Sequence, residues 1–215
     1  MGVKWFRRAN DISGFEYEAP GRVDRTRLKG HDAVPELQRY ESFDGKRVES
    51  LSWSYDDGQG SVSTSASPAH GAAFGELDEE LDSAALLQRL WEALELPGEP
   101  SDYHFAIQGV AGHLWRRRRK EPQLFAWVEW LSWLDIRLVR AWPDAVRDEY
   151  ANTDPDRREF YSVPAFHTLF QLYIREGFLA EARDVAKLGS SFGQGEADVE
   201  AAEQRLATLG AEDGE

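Results

Sequence analysis

From residue 82 onward, apolar residues recur at intervals of three and four, the spacing of one helical face. "DSAALLQRLWEALEL" puts Leu86, Leu87, Leu90, Trp91 and Leu94 on one side of a helix that stops at the "PG" of 97–98. "SDYHFAIQGVAGHLWRRRRK" predicts a second helix over 101–120, opened by a Ser/Asp cap and closed before Pro122. "PQLFAWVEWLSWLDIRLVRAW" predicts a third, ending near Pro143. "SVPAFHTLFQLYIREG" predicts a fourth, with Ser162 as cap and Pro164 in its first turn. "FLAEARDVAKLG" follows almost without a gap, and "GEADVEAAEQRLATLG" closes the series on a stripe of Val199, Ala202, Leu206 and Leu209. Six successive helices joined mostly by short turns predict a helical-hairpin stack, either a bundle or a short α-solenoid.

Ahead of residue 76 the period changes. "VESLSWSY" alternates and puts Leu51, Trp53 and Tyr55 on one face of a strand. "DDGQG" supplies turn residues, and "SVSTSAS" alternates again through Val62, Thr64 and Ala66. A loop over 56–59 would oppose Trp53 to Val62 and Leu51 to Thr64; one residue more would oppose Trp53 to Ser63 and waste the apolar face. "VPELQRY", 34–40, reads as one short helical turn in an otherwise irregular stretch over 1–45, and "SPAHGAAFGELDEE" reads as a linker. The expected fold class is therefore mainly α with a small N-terminal β-hairpin region. The expected organisation is an irregular and hairpin region over 1–75, a helical domain over 76–210 and a frayed tail over 211–215.

Within "AFHTLFQLYIREGFLAEARDVAKL", 165–188, the large aromatic Phe166 is followed by Leu169, Tyr173, a turn glycine at 177 and Glu181-Ala182. This segment resembles a single tetratricopeptide repeat, a helical hairpin. Phe170 stands where that pattern has a small residue, which predicts that the two helices are forced apart or that the ring points elsewhere. The resemblance implies a protein-binding adaptor or scaffold; fold alone does not fix function.

Composition narrows the function classes. The 215 residues carry a formal net charge of −14, with four basic against fifteen acidic groups over 31–100. Such a charge repels nucleic acid at long range and favours a basic protein partner. No cysteine is present, which removes disulfides, thiolate metal sites and cysteine nucleophiles and fits a reducing cytoplasm. The N-terminal stretch lacks the apolar run of a secretory signal, and position 6 is Phe rather than the Ser/Thr of a myristoylation signal. No run of about 18 uncharged apolar residues predicts a membrane span.

Two stretches invite a functional reading. In "HLWRRRRKEP" four successive arginines point in four directions on a helix, so they cannot line one groove. They read either as a basic helix end favoured by unpaired carbonyls, or as a contact surface using Arg116, Arg117 and Arg119, or as a nuclear-localisation signal. The tryptophan-rich helix 124–142 is apolar over about half its circumference, which marks it as the central helix of the stack. Its polar side carries Glu129, Ser132, Arg137 and Arg140, interrupted by Phe125, Trp133 and Ile136; these three are the candidates for a partner groove. Asp135 falls in the apolar arc and calls for a partner, either a structural arginine or a functional role.

Recognisable chemistry is sparse. The histidines at 31, 70, 104, 113 and 167 form no metal-binding spacing, and the chain carries no GxSxG, Walker or GxGxxG motif. The expectation is a non-enzymatic protein–protein interaction module without metal or cofactor, using aromatic and acidic surface. An acidic antidote that covers a basic site on a toxin or enzyme is the alternative. An enzyme of unrecognised type stays open, as does self-association of the basic run with an acidic face of another copy.

Overall fold

The structure, a computed structural model, describes residues 3–21, 23–43, 45, 47–56, 58, 60–74, 81–147 and 160–212; side chains beyond residue 208 and that of Phe74 are outside the description. It is mainly helical with a small antiparallel sheet. Strands β1 (Val34–Glu41), β2 (Arg47–Asp56) and β3 (Ser61–Thr64) precede helices α1 (Pro68–Phe74), α2 (Ser83–Leu94), α3 (Pro100–Arg117), α4 (Leu124–Ala141), α5 (Pro164–Glu176), α6 (Leu179–Ser190) and α7 (Glu196–Glu212). The chain divides into two compact units, 1–110 and 111–215, with the boundary inside α3. The change of hydrophobic period near 76 therefore marks a change of element type within the first unit, not a boundary between units.

In the first unit the alternation predicted for β2 holds. Leu51 and Trp53 are buried with Ala33, and Trp5 meets Trp53 edge-on at 5.9 Å. The register differs from expectation by two residues: Tyr55 opposes Val62 and Trp53 opposes Thr64. A shift of two leaves every side chain on its expected face. The cause is the turn: Asp56 accepts a hydrogen bond from the Gly58 N–H at 2.8 Å, and Gly58 and Gly60 both take positive φ, so β3 starts only at Ser61. The segment expected as a helical turn is the edge strand β1, paired with β2 through Leu37↔Leu51 and Arg39↔Glu49. Pro35 is tolerated there because an edge strand has one unpaired side.

The expected linker contains α1. Ser67 caps it by accepting from the His70 N–H at 3.0 Å, and its first turn docks on the α2–α3 connection through Ala69 N–H to Pro97 O at 3.0 Å. α3 starts one residue earlier than its apparent cap. Pro100 takes the first helical position, and Asp102 reaches back to the Glu99 N–H at 2.8 Å, the reciprocal half of a capping box. The N-terminal segment is tied to the same connection by the exchange of two hydrogen bonds between Phe6 and Gly98, at 2.9 and 3.0 Å.

In the second unit α4, α5, α6 and α7 pack consecutively. Ile136 and Val139 of α4 join Phe166, Leu169 and Leu172 of α5 and Val185 of α6 in one core. Gly177 ends α5 in the left-handed conformation at φ 84°, and the Phe178 N–H donates to Tyr173 O at 2.9 Å, so the chain reverses tightly into α6. Phe170 does not force the helices apart. It is buried among Ala182, Ala186 and Ala202, small residues of α6 and α7 that make room for its ring. Ser162 is not the cap of α5; Val163 holds that position and donates its N–H to Gln194 Oε1 at 2.8 Å.

Candidate partner-binding face

α4 is asymmetric, buried along one arc and open along the other. Leu124, Val128, Leu131, Leu134, Leu138 and Val139 are buried, and Ser132 and Asp135 lie in the same buried arc. The opposite arc carries Ala126, Glu129, Trp130, Trp133 and Arg137, spaced three to four residues apart, and borders an open depression of about 480 Å³. Trp127, Trp130 and Trp133 are half-buried, and Trp127 meets Trp130 edge-on at 6.2 Å.

Tyr173 of α5 fixes the centre of this face. Trp133 Nε1–H donates to the Tyr173 hydroxyl at 2.8 Å, and that hydroxyl donates to Glu129 Oε1 at 2.6 Å. Burial and the bond to Glu129 push the Tyr173 phenol up to about 12, against the opposing effect of the Trp133 donor, so it keeps its proton at neutral pH. The chain Trp133–Tyr173–Glu129 therefore holds an indole and a carboxylate in set orientations across two helices. Fixed aromatic surface beside a fixed charge suits recognition, because little side-chain freedom remains to be lost on binding.

The residues singled out in the sequence take different places. Trp133 lies on this face. Phe125 is half-buried and packs on the core of the second unit. Ile136 is fully buried in that core and offers nothing to a partner, a correction to its expected place in the groove. About a sixth of a turn separates the two outcomes: the Trp133 direction opens outward, whereas three residues on the helix faces α5. Asp135 is 1% exposed, as its position in the apolar arc requires. Sequence reasoning passed over Trp130, Glu129 and Arg137 as members of one site, and over Tyr173. The spacing 126, 129, 130, 133, 137 is legible as one helical stripe; Tyr173 is joined to it only by the fold.

The arginine run straddles a helix end. Arg116 and Arg117 lie in the last turn of α3, while 118–120 belong to the turn beyond it. Arg116 and Arg119 are exposed and Arg117 is half-buried. Arg118 folds back so that its guanidinium carbon lies 3.3 Å from the centre of the Trp115 ring, with Nη1 donating to the Trp115 carbonyl.

The first unit brings a serine, a histidine and an aspartate together, which the sequence did not suggest. His70 Nδ1 is 3.5 Å from Asp102 Oδ1, and Ser67 Oγ donates to Asp102 Oδ2 at 2.7 Å. Nucleophilic catalysis requires the hydroxyl to donate to the imidazole. Here it donates to the carboxylate and accepts from the His70 backbone, so both groups serve as caps of α1 and α3. Glu99, beside Asp102, is pushed up to about 7 by burial and by that carboxylate. Among the described residues no group of three or more His, Cys, Asp or Glu is arranged to hold a metal ion, and no helix is long and apolar enough to cross a membrane.

Comparison with known protein families, curated proteins and solved structures finds no match to this chain.

Proposed function

We propose that the protein is a non-enzymatic, tetratricopeptide-like adaptor that holds a protein partner against the outer face of α4. The observation that carries this reading is the open depression bordered by Trp130, Trp133, Glu129 and Arg137. Tryptophan and arginine are the residue types that most often carry binding energy at interfaces, and flanking charges set the register of what they bind. The helical hairpin of α5 and α6 supports the face from behind by anchoring Tyr173. The test compares the wild-type chain with Trp130→Ala and Arg137→Glu, both at positions outside the core, in capture from the native host lysate. A stoichiometric protein held by the wild type and released by both variants, with unchanged circular dichroism, is the expected outcome. Equal capture by all three chains would discard this face.

The net charge of −14 favours a second reading, an acidic antidote that covers a basic site. Charge of this size steers association. A captured partner whose on-rate falls about tenfold or more between low and physiological salt would support the antidote; an on-rate indifferent to salt would remove it.

A further inference from the structure

β1 is an open edge of the three-stranded sheet. Among the described residues its backbone bonds only to β2, so the groups along its outer side have no protein partner. All but one of its residues are exposed, among them Val34, Leu37 and Tyr40 at 50%, 43% and 53%. Unpaired backbone beside exposed apolar side chains is a template for another strand.

The three apolar residues are placed symmetrically, Val34 and Tyr40 lying equally far on either side of Leu37. An antiparallel strand related by a twofold axis at Leu37 opposes Leu37 to its own copy and Val34 to Tyr40 at both ends. Opposed residues must share a face of the sheet, so such an axis passes through a residue and never between two. The neighbouring positions are poor. An axis at Glu36 or at Arg39 sets like charges directly opposite, and one at Gln38 opposes Leu37 to Arg39 and Glu36 to Tyr40. With the axis at Leu37, Glu36 meets Gln38 and Arg39 meets Pro35. Pro35 brings no N–H to a ladder, but it falls two residues from the axis and leaves the central rung intact. Leu37 also pairs with Leu51 inside the chain, on the face that buries Leu51 and Trp53. The joint would therefore run Leu51, Leu37, Leu37, Leu51 as one apolar row across two copies.

We propose that β1 is a self-association surface, on which two copies join edge to edge about Leu37 and merge their three-stranded sheets into one. The occupant is a second copy because the apolar pattern is symmetric about one residue of the strand itself, a property that pairing with a foreign strand does not require. The contact is isologous and closes as a dimer. Residues 34–40 of each copy form a small interface, so the dimer is weak and concentration-dependent. The charge of −14 on each copy opposes it, so added salt strengthens it. This surface belongs to the first unit and does not depend on the role of the α4 face.

The test is sedimentation velocity of the full chain from about 10 μM to about 1 mM, in about 0.05 M and about 0.5 M NaCl. The expected result is a monomer–dimer equilibrium that moves toward dimer with concentration and with salt. Leu37→Lys sets two ammonium groups face to face at the axis and should weaken the dimer about tenfold or more. Glu36 meets its own copy diagonally across the axis, so Glu36→Gln should tighten the dimer about twofold at low salt. Both positions are exposed, and unchanged circular dichroism and tryptophan emission show that each variant keeps its fold. Should Leu37→Lys alter the spectra, the Glu36→Gln comparison decides alone. A monomer throughout, a dimer that keeps its affinity in folded Leu37→Lys, or no gain in Glu36→Gln would each overturn the proposal.

Discussion

Gly98 shows how one residue can hold several segments together. A Cβ on it would lie 2.7 Å from the Cβ of Ala69, closer than two side-chain carbons can approach. Gly98→Ala must therefore push α1 off the α2–α3 connection or break the exchange with Phe6. We expect a loss of about 1–3 kcal/mol, read as a lower urea midpoint. The adjacent Glu99 has its pKa raised from 4.5 to about 7, so the folded chain holds a proton that the unfolded chain releases. The stability contributed by this group is complete below about pH 4.5 and is lost as the pH rises through about 7. Glu99→Gln should equal the wild type near pH 4 and exceed it near pH 8 by roughly 1–2 kcal/mol, after discounting for partial exposure. Denaturant unfolding at the two pH values checks both the size and the sign. Nothing local in the sequence marks this cluster, because Ser67 and Asp102 are 35 positions apart.

α5 depends on two side chains that face different neighbours. Phe170 fills the space left by Ala182, Ala186 and Ala202, and Phe170→Ala should cost about 3–5 kcal/mol in chemical denaturation. Tyr173 faces α4, and Tyr173→Phe removes the hydroxyl shared by Trp133 and Glu129. The expected loss is roughly 1 kcal/mol, because the face is half-exposed and water can replace part of the bond. The accompanying sign should be a red shift of tryptophan emission as Trp133 becomes free to turn toward solvent. The helices themselves were legible, since each of the six predicted ones has a periodic apolar stripe or a capping signal. β1 was not. All but one of its residues are exposed, so burial left no alternation in its sequence, and its strand form comes from backbone pairing to β2. α1 was missed for a related reason: seven residues hold barely two turns, and its Ser67 cap is recognisable only once its partners are in place.

The chain as a whole is strongly acidic, with a sequence pI of about 4.8. Self-repulsion keeps such a protein dispersed near neutral pH and vanishes at the pI. Light scattering should therefore rise as the pH approaches 4.8, even though protonation of Glu99 favours the folded state over the same interval. Solubility and the Glu99 contribution to stability respond to acid with opposite signs, because one follows the net charge and the other a single half-buried carboxyl.

Periodicity was enough to establish a mainly helical chain with a small antiparallel sheet, the positions of α2 to α7 to within a few residues and the faces of β2. These follow from local rules, since 3.6- and 2-residue repeats and capping residues act within a turn or a strand. Tertiary structure decided what surface remains. Ile136 and Trp133 looked equivalent as apolar interruptions of a polar arc, yet one is sealed by α5 and the other borders an open face. Which apolar residue is covered depends on elements distant in sequence. No local pattern of residues carries that information.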